Sequence, residues 1–159
     1  MVERFKTRQA VFVIIYNDKG QILLQQRDKE YLRGYWDLPS GHVESGEELR
    51  VSATRELVEE TGVIAEPQDL RLIHIDQYFI ELDYVNYVFE LRNWQGTPQI
   101  LEPHKCSAMD WFSIDALPEK CVNTIRAVER SGFSTELTYS VTDRNTYADL
   151  MGEPFRKNT

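Results

Sequence analysis

The segment from Gly46 to Thr61 constrains this chain more than any other, because it reads as a helix whose last turns are crowded with carboxylates. Ser45 is placed to cap its start. Glu48, three residues later, would complete a capping box in which each side chain satisfies a free backbone N–H. Gly62 stands where a left-handed residue would end the helix. On a helical wheel with Glu56 at zero, Glu60 falls at about 40° and Glu59 at about −60°, while Val51, Ala53, Leu57, Val58 and Thr61 share the adjoining arc. The helix therefore has an apolar face and, next to it, a compact acidic one.

An acidic cluster there works against helix stability. Like charges spaced i,i+4 cost roughly 0.2–0.5 kcal/mol per pair, and the C-terminal end of a helix favours cations. A hard divalent cation such as Mg²⁺ or Mn²⁺ would offset this, since it takes carboxylate oxygens and keeps water on its remaining positions. A solvated acidic face is the plainer alternative. Two neighbours favour the cation. Arg55, at about −100° on the wheel, can orient a carboxylate through a charge-assisted hydrogen bond. Gly41 lies in a turn before the helix, where a bare backbone carbonyl can approach an ion closely.

The rest of the chain alternates strands and turns. Val11–Tyr16 and Gln21–Arg27, joined by Asn17-Asp18-Lys19-Gly20, read as a hairpin. Pro39-Ser40-Gly41 reads as a turn, and Leu70–Ile75, Gln77–Leu82, Val85–Leu91 and Met109–Phe112 as strands. Ile114–Arg130 reads as a second helix broken near Pro118. Residues from about 145 to 159 read as a polar, partly frayed tail. No linker divides the 159 residues, so a single domain is expected, of α+β class, an α/β/α sandwich with helices flanking a mixed sheet.

Charge and composition narrow the partners. Lys and Arg number 18 against 26 Asp and Glu, a net charge of −8, which disfavours binding a nucleic-acid polymer through its phosphates. No apolar run approaches the ~20 residues of a membrane-spanning helix. The two cysteines, Cys106 and Cys121, are too few for a disulfide scaffold, and the expected location is cytoplasmic.

The stretch GHVESGEELRVSATRELVEETGV, Gly41 to Val63, resembles the Nudix box, GX5EX7REUXEEXGU with U aliphatic. Gly41, Glu47, Arg55, Glu56, Leu57, Glu59, Glu60, Gly62 and Val63 all match at the required spacing. The likeness extends to Trp36–Gly41 ahead of the box and to Glu102–Phe112 after it. Ser40 stands where many members have glycine.

The resemblance implies the Nudix fold and metal-dependent hydrolysis of a nucleoside diphosphate linked to another group. It assigns Mg²⁺ or Mn²⁺ to Glu56, Glu59, Glu60 and the carbonyl of Gly41. Arg55 would orient the cluster, Glu47 would take a structural or outer role, and Glu56 or the loop residue Glu102 would act as general base. Glu56, Glu59, Arg55 and Glu102 are thus the expected catalytic group. Arg27 is placed to reach a phosphate, and Tyr35 and Tyr78 are candidates to hold the substrate. Gln77-Tyr78-Phe79 lacks the proline of the ADP-ribose class. By elimination the expected substrate is a nucleoside triphosphate, cleaved to the monophosphate and pyrophosphate. Dinucleoside polyphosphates or nucleotide sugars are the alternative, and a nucleotide-sensing module without catalysis is a third possibility. Many relatives pair, so a homodimer is also among the expectations.

Overall fold

A computed structural model describes residues 2–157. Eight strands form two sheets. One holds β1 (Arg8–Ile15), β4 (Ser40–His42), β5 (Leu70–Phe79), β6 (Asp83–Leu91) and β8 (Thr138–Thr142), in the order β4-β1-β6-β5-β8. The other holds β2 (Ile22–Arg27), β3 (Trp36–Asp37) and β7 (Cys106–Phe112), in the order β3-β2-β7. The larger sheet is mixed: β1 runs parallel to β6 and β5 parallel to β8, whereas β1–β4 and β5–β6 are antiparallel. The helices are α1 (Leu49–Thr61), α2 (Asn123–Arg130) and α3 (Arg144–Met151).

Strand β1 is apolar on both faces, and this builds the sandwich. Val11, Val13 and Ile15 pack with Ala53 and Leu57 of α1, whereas Ile14 packs with Ile125 and Val128 of α2. A central strand covered by a helix on each side has no polar face to alternate with. The expected α/β/α sandwich is therefore the observed one.

Several local expectations change. β1 and β2 share only the bridge Tyr16↔Ile22 and then part into different sheets, so they form a corner rather than a hairpin. Each strand finds a longer partner elsewhere, β1 in β6 and β2 in β7. Ser40–Gly41 is not a turn but belongs to β4, which pairs with β1. The two strands expected over 70–82 are one strand, β5, with a bulge between Leu72 and His74. The second helix begins only at Asn123, because the chain before it pairs with β3, through Trp36↔Cys121 and the Val122 N–H to Trp36 O bond at 3.0 Å. The expected frayed tail contains α3, capped by Asp143 and anchored by the buried Tyr147.

The start of α1 also differs. Ser45 and Gly46 form a turn, and the cap is Glu48, whose side chain accepts from the N–H groups of Arg50 and Val51. At the far end Gly62 adopts φ 74° and donates to Val58 O, as its position predicts. No basic residue occupies the last turn.

Candidate active site

The acidic face of α1 lies against β4. Gly41 and Glu56 touch so closely that a β-carbon at position 41 would sit 1.9 Å from Glu56 Cδ. Only glycine leaves room for that carboxylate. Glu56 accepts from Arg55 Nη1 at 2.9 Å, yet burial raises its pKa above the usual carboxylate range. Glu60, on the same face, accepts from Gln25 Nε2 at 3.0 Å and from the Ser40 N–H at 3.2 Å. Both donors are neutral, and burial pushes the Glu60 carboxyl up to about 7. Glu59 is half-exposed, 3.4 Å from Arg55 Nη1.

Arg55 touches both Glu56 and Glu59, as its wheel position suggests, and adds a stronger partner that the wheel does not show. Its guanidinium forks onto Glu47, with Nε to Oε2 at 2.8 Å and Nη2 to Oε1 at 3.0 Å. This pairing lowers Glu47 to about 2. It also donates to His42 O at 3.2 Å, which fastens α1 to β4. Glu47 is thus the anchor of the arginine, in keeping with a structural role.

The loop before β7 carries Glu102 to the same region. Gln99 N and Leu101 N donate to the carbonyls of Thr61 and Glu60, at 3.0 and 3.3 Å, and so occupy the open end of α1. Glu102 then pairs with Lys105 Nζ at 3.1 Å and lines a small hollow with Gln25 and Glu60. Its charge contributes to the raised pKa of Glu56.

Of five carboxylates here (Glu47, Glu56, Glu59, Glu60 and Glu102), four are ion-paired, to two cations only: Arg55 serves Glu47, Glu56 and Glu59, and Lys105 serves Glu102. Among the described residues no three His, Cys, Asp or Glu side chains converge on one point. Glu56 is turned to Arg55, Glu60 to its neutral donors, and Glu59 to the outer side of Arg55, half in solvent. The residues nonetheless fit a hard divalent cation. They offer carboxylate oxygens, an excess of negative charge, and a side-chain-free backbone at Gly41 pressed against Glu56.

A cleft of about 630 Å³ runs from Gly41, Glu56 and Glu60, across Ala10, Phe12, Asn86 and Tyr84, to Tyr31, Tyr78 and Phe155. Arg27, Lys29 and Lys105 line it as well. Arg27 is partly committed: Nη1 donates to the buried Asp37 at 2.9 Å and Nε to Tyr31 O at 3.0 Å. Tyr78 lies in the cleft wall, its phenol pushed up to about 12 by burial. Tyr35 is not among the lining residues; its ring packs on the α2-side core and its hydroxyl donates to Glu153 at 3.3 Å.

The sequence reading missed Gln25, Lys105, Asn86 and Phe155. Gln25 had a signal, a polar residue ending an apolar inward run, and Lys105 stood beside the chosen Glu102. Asn86 and Phe155 had none, since strand pairing and chain return bring them to the cleft.

The family profile described as the NUDIX domain matches residues 6–130. The chain belongs to the Nudix family of hydrolases. A curated relative, "RNA pyrophosphohydrolase" of Caulobacter vibrioides, is 32% identical to this Nudix chain over 130 residues, 79% of this chain and 67% of the relative. A "Putative 8-oxo-dGTP diphosphatase" of Bacillus subtilis is 48% identical over 54 residues, 34% of each chain. Among solved structures, a MutT NUDIX hydrolase from Burkholderia pseudomallei superposes with TM-score 0.73 at 27% identity, over 79% of this chain and 98% of that one. This Nudix protein is accordingly a hydrolase of nucleoside diphosphate derivatives, of a family that generally uses divalent metal ions.

Proposed function

We propose that this Nudix hydrolase cleaves nucleoside triphosphates to the monophosphate and pyrophosphate, with Mg²⁺ or Mn²⁺ held by Glu56, Glu59, Glu60 and the Gly41 carbonyl. The observation that carries this is the single cleft joining the carboxylate cluster to an aromatic end. From β4 to β5 it crosses three strand spacings, about 14 Å, a span suited to a nucleotide and its phosphates rather than to inorganic phosphate.

A divalent cation bound there supplies Lewis acidity and offsets the charge between an acidic protein and a polyanion. The chain's own residues do the rest. Arg55 fixes Glu56 against Gly41. Lys29, Lys105 and the free N–H groups of Arg27 present positive charge to the phosphates. Water adds to the α- or β-phosphorus, the P–O bond that bridges the two breaks to release the monophosphate and pyrophosphate, and the water's proton passes to Glu56 or Glu102. The pH–rate profile of Glu102→Gln separates the two. A base at Glu102 predicts loss of the acidic limb and a fall in kcat of about 10²-fold. An unchanged profile assigns the proton to Glu56.

A second reading concerns the triphosphate at the 5′ end of an RNA, favoured by the name of the Caulobacter relative. The deciding experiment incubates the protein with Mg²⁺ or Mn²⁺ and a pool of nucleoside triphosphates, oxidised guanine nucleotides, dinucleoside polyphosphates, nucleotide sugars and a 5′-triphosphorylated RNA. Consumption of one or more nucleoside triphosphates with pyrophosphate release is the expected result. Exclusive turnover of the RNA, or of the dinucleotides or sugars, overturns it. Cytoplasmic residence is proposed on the same footing, in keeping with two buried free thiols.

A further inference from the structure

The cleft is completed by residues beyond the family profile, which ends at residue 130. After α2 the chain adds β8 alongside β5, then α3, and the segment 152–157 returns over the loop between β2 and β3. That segment is held at three places. The Tyr35 hydroxyl donates to Glu153 Oε1 at 3.3 Å. The Phe155 ring packs on Tyr147, centroids 5.5 Å apart at 83°, and on Tyr31, 5.9 Å apart at 48°. Lys157 Nζ lies 3.2 Å from one oxygen of Glu81, whose other oxygen is 3.3 Å from Arg144.

The aromatic groups divide their work. Tyr147 is 3% exposed and shares a 2.9 Å hydrogen bond with the Tyr31 hydroxyl, so it fixes Tyr31 from behind. Phe155 and Tyr31 are only half-buried, and both line the cleft, together with Leu32 and Tyr78. A core phenylalanine would turn its whole ring inward; this one leaves part of its surface to the cavity. Tyr31 and Phe155 stand at the end of the cleft that borders β5, across the sheet from Gly41 and Glu56.

We propose that Phe155 is a substrate-binding residue that favours nucleotides over polyphosphates without a base. With Tyr31 it forms the wall on which the nucleobase packs. Flat apolar rings offer such a surface to any base, and Arg144, 5.6 Å above Phe155, reinforces the ring's position. This rests on the reading of the cleft as a nucleotide site.

The test uses the full chain with Phe155→Ala, Phe155→Leu and Phe155→Trp. Steady-state kinetics are measured on a nucleoside triphosphate that the unaltered protein cleaves, with inorganic tripolyphosphate as a base-free inhibitor. The alanine and leucine variants are expected to raise KM about 10- to 100-fold, the size of one base–aromatic contact, with kcat within about threefold. Tryptophan restores KM, and the inhibition constant of tripolyphosphate does not move in any variant. The leucine variant keeps the apolar packing, so it reports even if the alanine variant unfolds. Unchanged KM in a folded leucine variant overturns the proposal, and so does an equal loss of tripolyphosphate affinity. If the unaltered protein cleaves no nucleotide, the functional reading fails. Calorimetric binding of a nucleoside monophosphate to the unaltered protein and to Phe155→Leu then decides the role of Phe155, with equal affinities counting against it.

Discussion

At the β4 end of the cleft, carboxylates outnumber their cations and one of them, Glu60, is partly buried on neutral donors alone. At the β5 end, Tyr31, Tyr78 and Phe155 line the cleft, with the Phe155 ring on Tyr31 and the Tyr31 hydroxyl already paired to Tyr147. The acidic end is unstable in itself and gains from a ligand that brings positive charge. The aromatic end is settled by its own packing, and contributes shape. Charge at one end and surface at the other are what a molecule with a polyphosphate and a base requires.

The contrast predicts that variants at the acidic end remove turnover without removing the fold. Glu56→Gln and Glu59→Gln should each lower kcat by roughly 10³-fold while Tm stays within about 2 °C, as checked by pyrophosphate release and thermal melts. Gly41→Ala is milder. Its methyl meets the movable end of the Glu56 side chain rather than backbone, so the carboxylate is displaced and the protein still folds. A loss in kcat of about 10²-fold with little change in Tm is expected. A large fall in Tm would mean that the contact is structural.

The smallest effect on turnover lies beneath the aromatic end. Asp76 on β5 is fully buried, accepts from Ser140 at 2.6 Å and Thr142 at 2.9 Å through Oδ1, and leaves Oδ2 without a partner. Burial lifts its pKa from 3.8 to about 6. The folded state therefore holds the proton more tightly, and this group lowers stability as pH rises from about 4 to about 6, with the full cost above that window. Asp76→Asn should raise Tm by roughly 6–12 °C at pH 8 and match the unaltered protein near pH 4, with turnover unchanged. A stability gain at both pH values would show that the charge is not the cause.

The two ends also differ in how far the sequence discloses them. The acidic end lies within Gly41–Val63, where helical periodicity alone puts Glu56, Glu59 and Glu60 together and Gly62 at the stop. Its errors are local. Glu48 caps the helix instead of Ser45 because Glu47 is drawn to Arg55, a contact eight residues apart that a wheel does not show. The aromatic end is assembled from the loop after β2, from β5, and from a segment that passes around α3, more than a hundred residues downstream of Tyr31. Spacing carries no trace of such a meeting. A polar, proline-bearing stretch such as 152–157 resembles a tail until Phe155 and Lys157 are seen to be held. Tyr35 shows the converse. It lies one residue before β3, beside the cleft in sequence, but pairing turns its ring to the core.

If the crowded glutamates of α1 form a site for a divalent cation, the ion stabilises the folded state. A thermal melt of the metal-free protein, titrated with Mg²⁺ or Mn²⁺ beside the Glu56→Gln and Glu59→Gln variants, tests it directly. Binding to the folded state raises Tm with cation concentration, by linkage, in the unaltered protein and far less in either variant. A melting curve that the cation leaves where it was, or one that shifts equally in all three proteins, would contradict it.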